Sequence, residues 1–164
     1  MTSHSHDRTT AEKRLWAELA NHNTCMLGLD GGDAHFQPMT AFAEPETGEI
    51  WFFTRTDTDL AKQVGDGHAA TMIFQSNDLQ ACIDGRLTLQ HDRARIDKYW
   101  NAVVAAWYPD GKEDPHLTML RLDGADAQLW ITDAGPLKFM WEIAKANVSH
   151  RTPDLGDRAN LSLQ

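Results

Sequence analysis

The run Ile50-Trp51-Phe52-Phe53-Thr54 constrains this chain more than any other. A β-branched residue followed by three aromatics suits a pleated, buried strand far better than one stripe of a surface helix. A few residues later, Asp57 to Val64 (DTDLAKQV) reads as a short helix. Thr54, Arg55, Thr56, Thr58 and Lys62 therefore gather hydrogen-bond donors and two positive charges where a strand hands over to a helix. Free backbone N–H groups and the helix dipole make such a junction a common anion site. Read on its own, the segment has a second explanation: Trp51, Phe52 and Phe53 fill a core, and the threonines cap a helix.

The flanking sequence supplies partners for that strand. Thr24–Leu29 (TCMLGL) and His35–Ala43 (HFQPMTAFA) surround Asp30-Gly31-Gly32-Asp33 and predict a hairpin, with Pro38 marking an edge or a bulge. Ala70–Gln75 predicts a further strand. In Gln80–Gln90, Ala81, Ile83, Leu87 and Leu89 alternate with Cys82, Asp84, Arg86 and Thr88, which predicts a strand with one buried face. Leu117–Asp123 and Ala127–Ile131 predict a last hairpin around Gly124. Helices are expected from the capping-box spacing of Thr9-Thr10-Ala11-Glu12 with the stripe Leu15, Trp16 and Leu19, over Asp92–Trp107, and from Pro136 to about Ala146 after Asp133 and Gly135. Thr152–Gln164 is an ambiguous tail, and residues 1–8 are expected to be a disordered one. Many antiparallel strands joined by short turns and closed by a few helices predict a barrel or rolled sheet, in one domain spanning residues 1–164.

Composition excludes several functions. With 24 acidic against 15 basic residues, a net charge of −9 and no Lys/Arg run, the surface repels nucleic-acid phosphates and anionic lipid. No apolar stretch is long enough to span a membrane, and the polar N-terminus lacks the apolar core of a secretory signal. Cys25 and Cys82 sit in apolar strand-like settings and read as reduced, buried thiols, so the expected location is cytoplasmic. The eight histidines show no metal-ligand spacing, and no metal site is expected. G-x-S-x-G, P-loop and G-x-G-x-x-G patterns are absent, and no acid/base pair stands out. The catalytic residues stay unassigned, and any enzyme of this kind requires a cofactor to carry its chemistry. The six tryptophans suggest broad aromatic contact surfaces, at a subunit interface or around a planar ligand.

Five short segments in order carry a family resemblance: Gln37-Pro38-Met39, Ile50–Thr54, Gln80-Ala81-Cys82-Ile83-Asp84-Gly85, Tyr99-Trp100-Asn101 through Ala106-Trp107-Tyr108-Pro109-Asp110-Gly111, and Ala127-Gln128-Leu129-Trp130. With them the chain resembles the general stress protein branch of the pyridoxamine phosphate oxidase-like, FMN-binding split barrels. The resemblance implies a mainly β fold with flanking helices, a six-stranded antiparallel split barrel that forms a homodimer with FMN sites between subunits. It places Met39, Phe52, Phe53 and Thr54 along the isoalloxazine ring and ribityl chain, counts Gln37 and Pro38 among the cofactor-binding residues and sets Gln80 near the polar edge of the ring, while Trp130 comes from the partner subunit. The phosphate end departs from the family pattern. Asp59 and Leu60 stand where the oxidases carry an Arg-Lys pair, and Gln37 stands where the branch usually has arginine. Arg55, Thr58 and Lys62 are the remaining candidates to hold the phosphate. Losing two charge-assisted hydrogen bonds weakens binding by about 3–6 kcal/mol. The usual C-terminal basic motif is also missing, so oxidation of pyridoxamine phosphate is not expected. What remains is an FMN-dependent oxidoreductase or flavin carrier. The alternatives are a non-catalytic scaffold that has lost FMN, or a carrier of another planar ligand such as a deazaflavin or haem.

Overall fold

A computed structural model describes residues 3–132, 136–152 and 157–163. In chain order the elements are α1 (Ser3–Asn21), β1 (Thr24–Leu29), β2 (Gln37–Thr40), β3 (Phe42–Glu44), β4 (Glu49–Arg55), α2 (Asp59–Val64), β5 (His68–Gln75), β6 (Leu79–Gln90), α3 (Arg93–Tyr99), α4 (Ala102–Ala105), β7 (Leu117–Ile131), α5 (Pro136–Ser149) and β8 (Asp157–Ser162). The strands form one antiparallel sheet in the order β2-β1-β5-β6-β7-β4-β3, with β8 added along β7. It curls into a half-barrel with helices on its flanks. The mainly β split-barrel expectation holds, with eight strands instead of six.

Most of the extra count has local causes. The run expected as one strand through Ala43 divides at Ala41, leaving β2 paired to β1 and β3 paired to β4. Ala41 turns inward there and its N–H bonds the Asn23 carbonyl. The expected hairpin around Gly124 is instead a continuous 15-residue strand, because the 12-residue β6 pairs with β7 along its whole length. The register slips between Asp84 and Gly85, which absorbs the irregularity that the glycine signals. A Cβ at Gly85 would run into the Asp123 carbonyl, so the slip needs glycine. The tail contributes β8, whose Leu161 is buried, with Leu163 buried just beyond it.

Helix ends differ from expectation for equally local reasons. α1 starts at Ser3, so Thr9 and Thr10 lie inside it and the expected tail is largely helical. Its stripe of Ala11, Leu15, Trp16 and Leu19 is buried as predicted. The helix expected over Asp92–Trp107 is two helices. Trp100 takes an extended conformation, and the Asn101 side chain then accepts from the Val104 N–H at 2.9 Å, restarting the chain as α4. α5 runs from Pro136 to Ser149, three residues beyond the expected end, while Asp133 and Gly135 lie outside the described residues. Among the described residues no helix is long and apolar enough to cross a membrane.

Two apolar clusters organise the interior. The larger packs α1 and α2 against the inner face of the sheet through Leu15, Leu27, Ile50, Phe52, Leu60, Met72, Ile83 and Leu129. A smaller one on the other side of β4 gathers Trp51, Ile96, Val104, Tyr108, Leu117 and Met119, with Phe42, Phe53, Tyr99 and Trp100 packed against it. Alternation along β4 thus sends Ile50, Phe52 and Thr54 one way and Trp51 and Phe53 the other.

Candidate functional site

Beside the smaller cluster the sheet leaves a cleft of about 480 Å³, walled on one side by Pro38, Met39 and Thr40 of β2 with Phe42 and Phe53. Asn101, Val103 and Val104 of the second helix pair, with Trp107 and Tyr108 after it, make the opposite wall, and Asn23 and Thr24 complete the lining. Its size falls in the roughly 300–1,000 Å³ range of small-molecule sites. Among the described residues none that lines it carries a charge. The aromatic rings behind it interlock: Phe53 meets Phe42 edge-on at 5.7 Å and Trp100 at 6.1 Å, and Trp100 lies 6.1 Å from Tyr108. Val103 (73 % exposed) and Trp107 (71 %) stand at the mouth as uncovered apolar surface. An uncharged, aromatic-walled slot with amides and hydroxyls at its edge suits a flat ring system with polar rim atoms.

Tyr108 connects this slot to the strand–helix junction. It is almost fully buried, and burial pushes its phenol up to about 12, against the nearby Arg55 charge and with Asp114 and Asp57 adding to the rise. It stays a neutral donor at physiological pH. At the junction itself, Thr58 caps α2: its hydroxyl accepts from the Ala61 N–H at 3.2 Å and donates to the Arg55 carbonyl at 3.0 Å. Its proton being engaged there, the 3.4 Å contact with Thr54 has the Thr54 hydroxyl as donor. The Arg55 guanidinium is committed to Asp57 in a two-pronged pair at 3.0 and 2.9 Å. The Arg55 hydrogen bonds hold the Asp57 carboxyl below the usual carboxylate range, helped by the charges of Arg55 and His116.

The residues expected to form a site are thus only partly gathered. Pro38, Met39 and Phe53 line the cleft. Thr54, Arg55 and Thr58 form the junction behind it. Phe52 faces the main core with no exposed side-chain surface, Gln37 is half-buried opposite Leu27, and Lys62 is exposed in the last turn of α2. Gln80 and Trp130 are register partners on the outer face of the sheet. That face is joined to the cleft through Thr24, which pairs with Thr40 and lies on the strand next to β5, whose Gln75 pairs with Gln80. The wall of Asn101, Val103, Trp107 and Tyr108 was not read as a site. Its signals in the sequence are the resemblance segment running from Tyr99 to Gly111 and the Tyr-Pro-Asp-Gly stop that ends it. No group of three or more metal-ligating side chains occurs among the described residues.

The curled antiparallel sheet with its flanking helices is that of a split-barrel protein. Residues 10–154 match the family described as Pyridoxamine 5'-phosphate oxidase like, and the chain belongs to that family. The general stress FMN/FAD binding protein of the phytopathogen Xanthomonas citri is 44 % identical over 76 % of this chain and 90 % of its own, with a TM-score of 0.70. A general stress family protein of Xanthomonas campestris pv. campestris is 43 % identical, covering 77 % of this chain and 90 % of its own (TM-score 0.71). A protein of the general stress protein 26 group from Jannaschia sp. is 34 % identical over 94 % of this chain and 98 % of its own, with a TM-score of 0.78. None of the curated proteins matches the chain.

Proposed function

We propose that this chain is a general stress protein that binds FMN in the cleft between Met39, Phe53 and Trp107, and that two copies assemble to complete the site. The observation that carries the reading is the cleft: uncharged, aromatic-walled and opening beside hydroxyl and amide groups. A relative 44 % identical being named an FMN/FAD binding protein supports the choice of a flavin. Bound there, a flavin supplies hydride- and electron-transfer chemistry. The residues present would hold the ring by apolar contact with Met39 and Phe53, shield it with Trp107 and offer hydrogen bonds at its rim. The phosphate would meet Arg55 and Lys62. In the homodimer, the exposed outer sheet residues Met26 (39 %), Ile73 (47 %) and Trp130 (42 %) would be covered, and Trp130 would reach the partner's flavin. An FMN-dependent oxidoreductase or flavin carrier in the cytoplasm fits this arrangement.

A second reading, a scaffold that has lost FMN, draws on one observation: Arg55 is already neutralised by Asp57. The visible spectrum of the purified protein decides between them. Flavin bands, with FMN released on denaturation, support the first reading. A colourless protein that takes up neither FMN nor riboflavin supports the second.

A further inference from the structure

We propose that Tyr108 is the hydrogen-bond donor to the ring of the ligand held in the cleft, and so a residue that selects ligands carrying an acceptor atom on a planar, uncharged ring. The proposal rests on the flavin reading of the same cleft. Its basis is the hydroxyl's unusual position. Tyr108 lines the cleft while only 5 % of the residue is exposed. Among the described residues its hydroxyl makes no hydrogen bond, yet no buried side-chain oxygen or nitrogen there lacks a partner. The hydroxyl therefore keeps accessible surface, on a residue that lines the cleft.

The surroundings leave that hydroxyl few other uses. Trp100 packs 6.1 Å from its ring, and Val104 lies beside it in the smaller core, so the phenol is fixed in place. Asn101, the nearest polar group along the same wall, spends its side-chain oxygen on the Val104 N–H. It retains only amide hydrogens for a ligand. The charged groups facing Tyr108 are Arg55, Asp57 and Asp114, and all three are already engaged: Arg55 with Asp57, while Asp114 accepts from the His116 N–H at 2.9 Å. A neutral phenol fixed between apolar neighbours has one O–H to donate, and an acceptor atom on a ligand in the cleft gives it a partner that the protein does not.

Tyr108→Phe tests this, since it removes the hydroxyl and no hydrogen bond to any described residue. Wild type and variant are titrated with FMN, riboflavin and lumiflavin, the last being the isoalloxazine ring without the ribityl chain, following flavin fluorescence and absorption. The expected result is a loss of about three- to tenfold in affinity, equal for all three ligands, with a displaced visible band in the variant. A loss confined to FMN would put the contact at the phosphate, and unchanged affinities would remove the contact altogether. Either result overturns the proposal while leaving the flavin reading intact. If wild type binds none of the three, both fall. A Tyr108→Phe protein with an altered melting temperature is replaced by Tyr108→3-fluorotyrosine, which keeps the ring and acidifies the donor. It should alter the affinity for all three ligands by one common factor, and no change would again overturn the assignment.

Discussion

Gln80 and Trp130 stand directly opposite each other across β6 and β7, both exposed on the face of the sheet turned away from the main core. The Arg158 guanidinium lies 5.8 Å from the Trp130 ring, so the tryptophan presents a flat surface held between an amide and a cation. The two residues that the family resemblance divides between subunits are thus neighbours in one protomer. A two-fold partner would present them together as one unit. The first expected outcome is a species of twice the chain mass in sedimentation equilibrium at micromolar concentration, burying over about 2,000 Å² as obligate interfaces do. Trp130→Glu should shift it toward monomer and lower the bound flavin. A wild-type monomer would remove Trp130 as a contact supplied by the partner.

The alternation along β4 gives a second test. Phe52 fills the main core with no exposed surface, and Phe53 lines the cleft. Phe52→Ala should cost about 3–5 kcal/mol of stability in urea unfolding, through lost burial and the cavity left behind. Phe53→Ala, on the half-buried face, should cost less stability and weaken flavin binding more. Equal effects of the two changes on both readouts would contradict the separation of core from site.

How far the sequence foretold this arrangement follows from the physical range of each signal. β1 occupies the predicted residues Thr24–Leu29, and the run Gln80–Gln90 matches β6 to within one residue, with Ala81, Ile83 and Leu87 buried as expected and Leu89, beyond the register slip at Gly85, exposed. Both signals are local, one side chain per pleat. Gly124 misled because it resembles a turn in one dimension, while its strand continues for want of any reason to leave β6. β8 was hidden because Ala159 and Leu161 become a pattern only against a partner about thirty residues away. The cleft was half legible. Pro38, Met39 and Phe53 stand out as site residues through the family resemblance, whereas Val103 and Trp107 fall in a resembling segment that also predicts a helix, and the exposure that makes them the cleft mouth is set by the fold.

The junction of Glu44 and Arg95 predicts a pH effect. Burial alone would raise the Glu44 carboxyl, but hydrogen bonds from Arg95 and Tyr99 and the charges of Arg95 and Lys98 outweigh it and leave it lowered from 4.5. Arg95 grips it at 3.1 and 3.3 Å and lies over the Trp51 ring at 4.9 Å. Since the folded-state value is the lower one, this stabilisation is complete above the ordinary carboxylate range and disappears as pH falls through the folded value. Glu44→Gln should cost about 1–2 kcal/mol at pH 7 and flatten the loss of stability below pH of about 4.5. A mutant whose acid unfolding parallels the wild type would disprove the linkage.

Cys25 offers a probe of native packing. Burial pushes its thiol up to about 12, so at pH 8 it is protonated as well as covered. Only the thiolate attacks a disulfide reagent. Native protein at pH 8 should therefore leave Cys25 unmodified by Ellman's reagent until urea unfolds it, while the half-buried Cys82 reacts earlier. Rapid modification of Cys25 in the native state would mean that β1 opens far more readily than its pairing with β2 and β5 implies.

The phosphate end separates the functional readings most sharply. Arg55 is held by Asp57 at 2.9 Å, and Asp59 adds a further negative charge in the first turn of α2. Under the flavin reading, a phosphate must compete with Asp57 for Arg55, while Lys62 makes no ion pair among the described residues. Lys62→Ala should lose about 1–3 kcal/mol of FMN affinity, roughly five- to a hundredfold, and barely change riboflavin binding. Asp57→Asn should act in the opposite direction, releasing Arg55 and raising the preference for FMN over riboflavin. Both differences should shrink as salt screens the charges, with a Debye length of about 10 Å at 0.1 M. Calorimetric titration of both ligands into the two variants measures this directly. Equal affinity of wild type for FMN and riboflavin, unchanged by either substitution, would place the phosphate in solvent and leave the cleft to recognise the ring alone.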